Sequence, residues 1–131
     1  MLPVTAPEPD VSIVVPMFDE VENLRELVER VGAALAPTEW RFELILVDDG
    51  SRDGSAALLR ELAGDIDWLR PVLLARNYGQ SIALQAGFDR AQGRYVVPLA
   101  ADLQNDPADL PALGERLVRD PGNAGLSRWR P

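Results

Sequence analysis

From Val11 onward, short β-branched or aliphatic runs alternate with longer stretches in which apolar residues recur every three or four positions. Val11-Ser12-Ile13-Val14-Val15-Pro16 is short, β-branched and closed by proline, which predicts a strand and then a turn. Leu24, Leu27, Val28, Val31 and Leu35 fall on one helical face, predicting a helix over about 21–35. Phe42-Glu43-Leu44-Ile45-Leu46-Val47 is a second strand, broken by Asp48-Asp49-Gly50-Ser51. Ala57, Leu58, Glu61 and Leu62 mark a second helix. A third strand is expected over 71–75, a third helix with an internal Gly87 over 81–91, and a fourth strand over 95–99. Pro98 has no N–H for a ladder and fits only a bulge or a strand end. A fourth helix is expected from Pro107, a favoured first-turn residue, to about Arg119.

Strands alternating with helices imply βαβ units, hence an α/β fold with a parallel sheet and right-handed crossovers. The near-continuous apolar strands suit a sheet covered on both faces. Residues 1–10, with Pro3, Pro7 and Pro9, read as a flexible lead-in, residues 11–120 as one domain, and residues 121–131 as an irregular tail.

Composition narrows the chemistry. All 13 cationic residues are arginine, and there is no histidine, lysine or cysteine. Disulfides, thiol nucleophiles, zinc ribbons and imidazole bases are therefore excluded. The net charge of −8 disfavours nucleic acid as a partner, since such binding depends on neutralising phosphates. The acid is concentrated in residues 1–65, where part of it is ordinary solvated helix face such as Glu22, Glu26 and Glu29. No stretch approaches the roughly eighteen apolar residues needed to span a bilayer, and no secretion signal opens the chain. A cytoplasmic chain, at most working at the membrane's inner face, is the expectation.

Ligands of open parallel sheets sit beyond the carboxyl ends of the strands. The loops after the strands carry Pro16, Phe18, Asp19 and Glu20; then Asp48, Asp49 and Ser51; then Arg76, Asn77 and Gly79; then Asp102, Gln104, Asn105 and Asp106. Each loop by itself also reads as helix capping or turn chemistry. Four of them at equivalent positions favour a shared binding rim. A carboxylate pair there suits the donors of a nucleobase edge and ribose, and Phe18 offers a stacking wall. Asp102 and Gln104 alternate along the chain and present hard oxygen donors suited to Mg²⁺ or Mn²⁺.

These segments resemble family 2 glycosyltransferases. Val14-Val15-Pro16-Met17-Phe18-Asp19-Glu20 with Asn23-Leu24 is similar to that family's V-V-P-x-Y-N-E-x-x-N-L, and Val47-Asp48-Asp49-Gly50-Ser51-Arg52-Asp53-Gly54-Ser55 to its V-D-D-G-S-x-D-x-T. Arg76-Asn77-Tyr78-Gly79-Gln80 with Ala86-Gly87 resembles R-N-x-G-x…A-x-x-G. Ala101-Asp102-Leu103-Gln104-Asn105-Asp106-Pro107 resembles the D-A-D-L-Q-x-P-P of the branch with dolichol-phosphate mannose synthase and bacterial polyprenyl-phosphate sugar transferases. Together the motifs span about residues 11–113.

The resemblance implies a Rossmann-like GT-A half that binds a nucleoside-diphosphate sugar, UDP- or GDP-linked, and a divalent metal. Pro16, Phe18, Glu20, Val47 and Asp49 would contact the nucleoside; Ala101 and Asp102 would lie against the diphosphate; Asp102 and Gln104 would hold Mg²⁺ or Mn²⁺. The implied reaction is inverting sugar transfer to a polyprenyl (dolichyl or undecaprenyl) phosphate. Ala100 stands where the family has its first metal-site Asp, Asp19 replaces an Asn, and Phe18 lacks a Tyr hydroxyl. Family members continue for roughly another hundred residues, so the chain is expected to be an N-terminal part, weakly active or inactive alone. The alternatives are a non-catalytic remnant that self-associates through an exposed sheet edge, or a nucleotide-binding module of another kind. The latter lacks both G-x-G-x-x-G and G-x-x-x-x-G-K-[ST] loops.

Overall fold

The structure, a computed structural model, describes residues 8–99. The elements run β1 (Val11–Met17), α1 (Val21–Leu35), β2 (Phe42–Asp48), α2 (Ser55–Asp65), β3 (Leu69–Leu73), α3 (Gln80–Arg90) and β4 (Tyr95–Pro98). The four strands form one parallel sheet in the order β3-β2-β1-β4. This is a Rossmann-like α/β arrangement, as the strand–helix alternation implied. Pro98 is the last residue of β4, where its missing N–H is tolerated.

The two central strands are apolar throughout because both faces are covered. Ile13, Val15, Leu44 and Leu46 pack with Leu24, Leu27, Val28 and Val31 of α1 and Leu59 and Leu62 of α2. On the other face Val14, Ile45, Val47 and Val96 pack with Ala83 of α3. Five buried apolar side chains hold α1, each contributing about 1.5–3 kcal/mol. That outweighs the lack of a capping side chain at its own N-cap, a loss of about 1 kcal/mol. The helix stops before Pro37, where the Thr38 hydroxyl donates to the Leu35 carbonyl at 2.7 Å.

Gly87 is costly by helix propensity but required by packing. A Cβ there would run into Val14 Cγ1 and come within 3.0 Å of Val47 Cγ2, so its absence lets α3 lie close on β1 and β2.

The third strand lies two residues earlier than the apolar run suggested, at Leu69–Leu73 rather than 71–75. The Leu44 N–H donates to the Trp68 carbonyl and the Leu74 N–H to the Asp48 carbonyl. Alternation then turns the Leu69, Pro71 and Leu73 nitrogens away from β2. Pro71 therefore loses no ladder bond, and Arg70 reaches solvent. Proline and a charge on this margin guard it against pairing with another chain.

Glu43, within an otherwise apolar strand, is only 4% exposed. Its Oε2 accepts from the Ser12 hydroxyl at 2.6 Å and the Gln92 N–H at 2.8 Å, while the Gly93 N–H donates to Ser12 Oγ at 2.8 Å. This satisfied network ties β1, β2 and the α3–β4 turn at the amino pole of the sheet. Pro9 and Asp10, at the end of the expected lead-in, are already anchored. The Asp10 N–H donates to the Arg41 carbonyl at 2.7 Å and the Arg94 N–H to the Pro9 carbonyl at 3.3 Å. Among the described residues no helix is long and apolar enough to cross a membrane. The expected fourth helix and the 121–131 tail lie outside the described residues.

Candidate functional site

The register of β1 and β2 sets the rim at the carboxyl ends of the strands. Pro16 pairs with Val47 and Met17 with Asp48, and the Asp49 N–H donates to the Met17 carbonyl at 2.9 Å. Pro16, Phe18, Val47 and Asp49 are thereby brought to one edge of the sheet. The Val47 side chain is fully buried against α3 and supports the rim from beneath. Phe18, in contrast, is 41% exposed, an aromatic surface without a core role. Glu20 is half-buried, and its Oε2 accepts from Asn23 Nδ2 at 2.8 Å within the first turn of α1.

The β2–α2 loop, residues 49–54, locks its neighbours. Asp49 is 4% exposed, and both its oxygens are engaged: Oδ1 accepts from the Tyr78 N–H at 2.7 Å and Oδ2 from the Gly79 N–H at 3.0 Å. It thus sits at the amino end of α3, where the helix dipole favours a carboxylate. Gly50 follows with φ +74°, and a Cβ there would overlap the Arg76 backbone and lie 2.6 Å from the Asn77 nitrogen. Only glycine suits both the left-handed backbone and that approach.

On the other side the loop grips β1–α1. The Asp19 N–H donates to Ser51 Oγ at 2.9 Å, and the Arg52 N–H returns to Asp19 Oδ1 at 2.8 Å. These bonds hold Asp19 at φ +52°, a left-handed conformation that short polar residues tolerate. Asp53 then bridges two helices. Its Oδ2 accepts from the Val21 N–H, the first residue of α1, at 3.1 Å; its Oδ1 accepts from the Ser55 N–H at 3.0 Å and from the Ser55 hydroxyl at the start of α2. Desolvation, the largest single influence, pushes the Asp53 carboxyl up, but the Ser55 hydroxyl and the Val21 and Ser55 N–H groups together outweigh it and hold the group below its ordinary value.

Carboxylates therefore crowd the rim: Asp19, Glu20, Asp48, Asp49 and Asp53. Asp48 is 2% exposed; its Oδ2 accepts from the Ser51 N–H at 3.2 Å, and its Oδ1 has no hydrogen-bond partner among the described residues. The loops after β1 and β3 also carry two exposed aromatics, Phe18 and Tyr78, with the Arg76 guanidinium 5.1 Å from the centre of the Tyr78 ring. Such a rim can stack a flat ring and accept hydrogen bonds.

Of the residues expected from the sequence, Ala101, Asp102 and Gln104 lie outside the described residues. Among the described residues no group of three acidic side chains is arranged to hold a metal ion. Sequence reasoning assigned no role to Tyr78 or Asp53. An Asp two residues before a helical Ser is a local capping signal, but nothing local foretells its second partner, Val21, 32 residues away. Asp53 bonds the first N–H of both α1 and α2, and Asp49 bonds the two N–H groups that lead into α3 rather than those of the helix that follows it.

The family model for glycosyl transferase family 2 matches residues 12–130. The chain belongs to this family. It is 47% identical over 111 residues to a dodecaprenyl-phosphate galacturonate synthase of Rhizobium johnstonii, covering 84% of this chain and 33% of that protein. It is 49% identical over 107 residues to an undecaprenyl-phosphate 4-deoxy-4-formamido-L-arabinose transferase of Pseudomonas fluorescens, covering 81% and 31%. Among solved structures it is similar to a mannosyltransferase of Pyrobaculum calidifontis in complex with GDP-Man and Mn²⁺, with a TM-score of 0.74 and 26% identity over 87% of this chain and 33% of that one. The GT-A assignment follows from this likeness. The chain spans about a third of the length of the curated relatives it matches.

Proposed function

We propose that this family 2 chain forms the nucleoside-binding part of an enzyme that moves a sugar from a nucleoside diphosphate to a polyprenyl phosphate at the cytoplasmic face of a membrane. The observation that carries the reading is the gathering of Pro16, Phe18, Val47 and Asp49 at the carboxyl edge of a parallel sheet. The two curated relatives, both named for polyprenyl-phosphate chemistry, support the acceptor class. In this reading Phe18 stacks on the base, Pro16 and Val47 shape the floor, and Glu20 and Asp49 supply acceptors beside it. Ala101 and Asp102 lie against the diphosphate.

The crowded carboxylates would repel a diphosphate, so the ligand needs a cation with it. Asp102 and Gln104 are the proposed oxygen donors for Mg²⁺ or Mn²⁺, whose chemistry is to neutralise charge on the departing diphosphate. An acceptor phosphate is already ionised at neutral pH and attacks the sugar carbon with little need of a general base.

Titration calorimetry of the 131-residue chain with UDP and with GDP, each with Mn²⁺, tests the proposal. One of the two should give saturable heat. Phe18→Ala should weaken it by roughly fivefold or more, since base–aromatic stacking is worth about 1–3 kcal/mol. Absence of heat from both nucleotides would sink the proposal.

A further inference from the structure

We propose that Asp53 is a positioning residue for the nucleoside site, acting through the Phe18 loop without touching the ligand. The inference rests on the donor-site reading above. Its basis is that one carboxylate joins two loops that share no sequence neighbourhood. Asp53 Oδ2 holds the Val21 N–H across 32 residues, while Oδ1 holds the Ser55 N–H and hydroxyl of its own helix. Val21 is three residues past Phe18, and Asp19 between them is pinned to Ser51 and Arg52. The path from Asp53 to Phe18 is thus a short, hydrogen-bonded stretch of backbone.

The geometry shows why a clasp is needed. Phe18 is 41% exposed and belongs to neither of the two buried apolar clusters. Asp19 sits at φ +52°, a conformation that a free loop leaves readily. The N-cap residue of α1, Glu20, makes no side-chain capping bond, so the first N–H of that helix depends on Asp53 from the neighbouring loop. The N-cap residue of α2 is Gly54, which has no side chain to offer, so the same carboxylate serves there too. Removing it frees the amino ends of both helices at once and leaves the loop carrying the stacking ring held by the Asp19 bonds to Ser51 and Arg52 alone. A site that is competent only part of the time binds more weakly by that fraction.

The test compares Asp53→Ala and Asp53→Asn with Thr38→Ala. Thr38 bonds the Leu35 carbonyl at the far end of α1, so its loss perturbs the same helix away from the rim. Hydrogen exchange of residues 18–23 and calorimetry with the nucleotide that the unmodified chain binds are read on all three, with thermal midpoints recorded to match destabilisation. Exchange at 18–23 should quicken in Asp53→Ala but not in Thr38→Ala. Affinity should fall about tenfold in Asp53→Ala, as expected if the loop is competent about a tenth of the time. Asp53→Asn keeps one acceptor oxygen and should fall between. Unchanged exchange at 18–23, or affinity that falls no further in Asp53→Ala than in Thr38→Ala, overturns the inference and leaves the donor-site reading standing. If the unmodified chain binds neither nucleotide, both fall together.

Discussion

Replacing Asp49 by Asn changes one atom of the side chain and separates holding a loop from touching a ligand. Each carboxylate oxygen now accepts one backbone N–H, from Tyr78 at 2.7 Å and Gly79 at 3.0 Å, in a residue 4% exposed. Asn can satisfy only one of them, and its NH₂ then faces the other N–H. The lost bond to a charged acceptor costs about 1.5–3 kcal/mol. Losing the charge at the amino end of α3 adds about 0.3–1 kcal/mol. Relief of repulsion from the adjacent Asp48 offsets part of this loss. The net expectation is a loss of about 1–3 kcal/mol without any nucleotide present. Urea denaturation followed by tryptophan fluorescence reads it as a midpoint lower by roughly 0.3–3 M, for a slope of about 1–3 kcal/mol per M. A midpoint within about 0.2 M of the unmodified chain would refute the claim that this carboxylate holds the β3–α3 loop. A large drop has a corollary: weakened nucleotide binding in Asp49 variants does not by itself demonstrate a ligand contact, which is why Phe18→Ala is the better probe.

Two further outcomes follow from the same geometry. Gly87→Ala, despite improving helix propensity, should destabilise by about 1–3 kcal/mol, because its methyl meets Val14 and Val47; denaturation that shows equal or greater stability would contradict the packing. The Asp53 carboxyl is held below its ordinary value of 3.8, so the stability it adds is present above that pH and disappears as pH falls through the lowered folded-state value. Thermal midpoints of Asp53→Ala should therefore lie below those of the unmodified chain at pH 7, and the gap should narrow as the pH falls below 3.8. A gap that persists unchanged at pH 2 would assign the effect to something other than the charged carboxylate.

The order of elements, the parallel α/β arrangement and the bounds of α1 were legible in the sequence. They depend on local periodicity: Leu24, Leu27, Val28, Val31 and Leu35 can share a buried face only in a helix. The family, too, was readable from short contiguous motifs. The exact placement of β3 was not, since Pro71 reads as the start of a strand until the chain order shows that it and Arg70 lie within one at a margin. Nor was the role of Glu43, whose partners Ser12 and Gln92 lie 31 and 49 residues away.

The sequence alone could say that acidic loops follow the strands. Only the tertiary structure decided which backbone amides their oxygens reach: Asp49 serves the helix after the following strand, and Asp53 serves both its own helix and the first one. The physical reason is that hydrophobic periodicity is a property of neighbours along the chain, whereas a carboxylate accepts from whichever donor the closed sheet brings within about 3 Å of it.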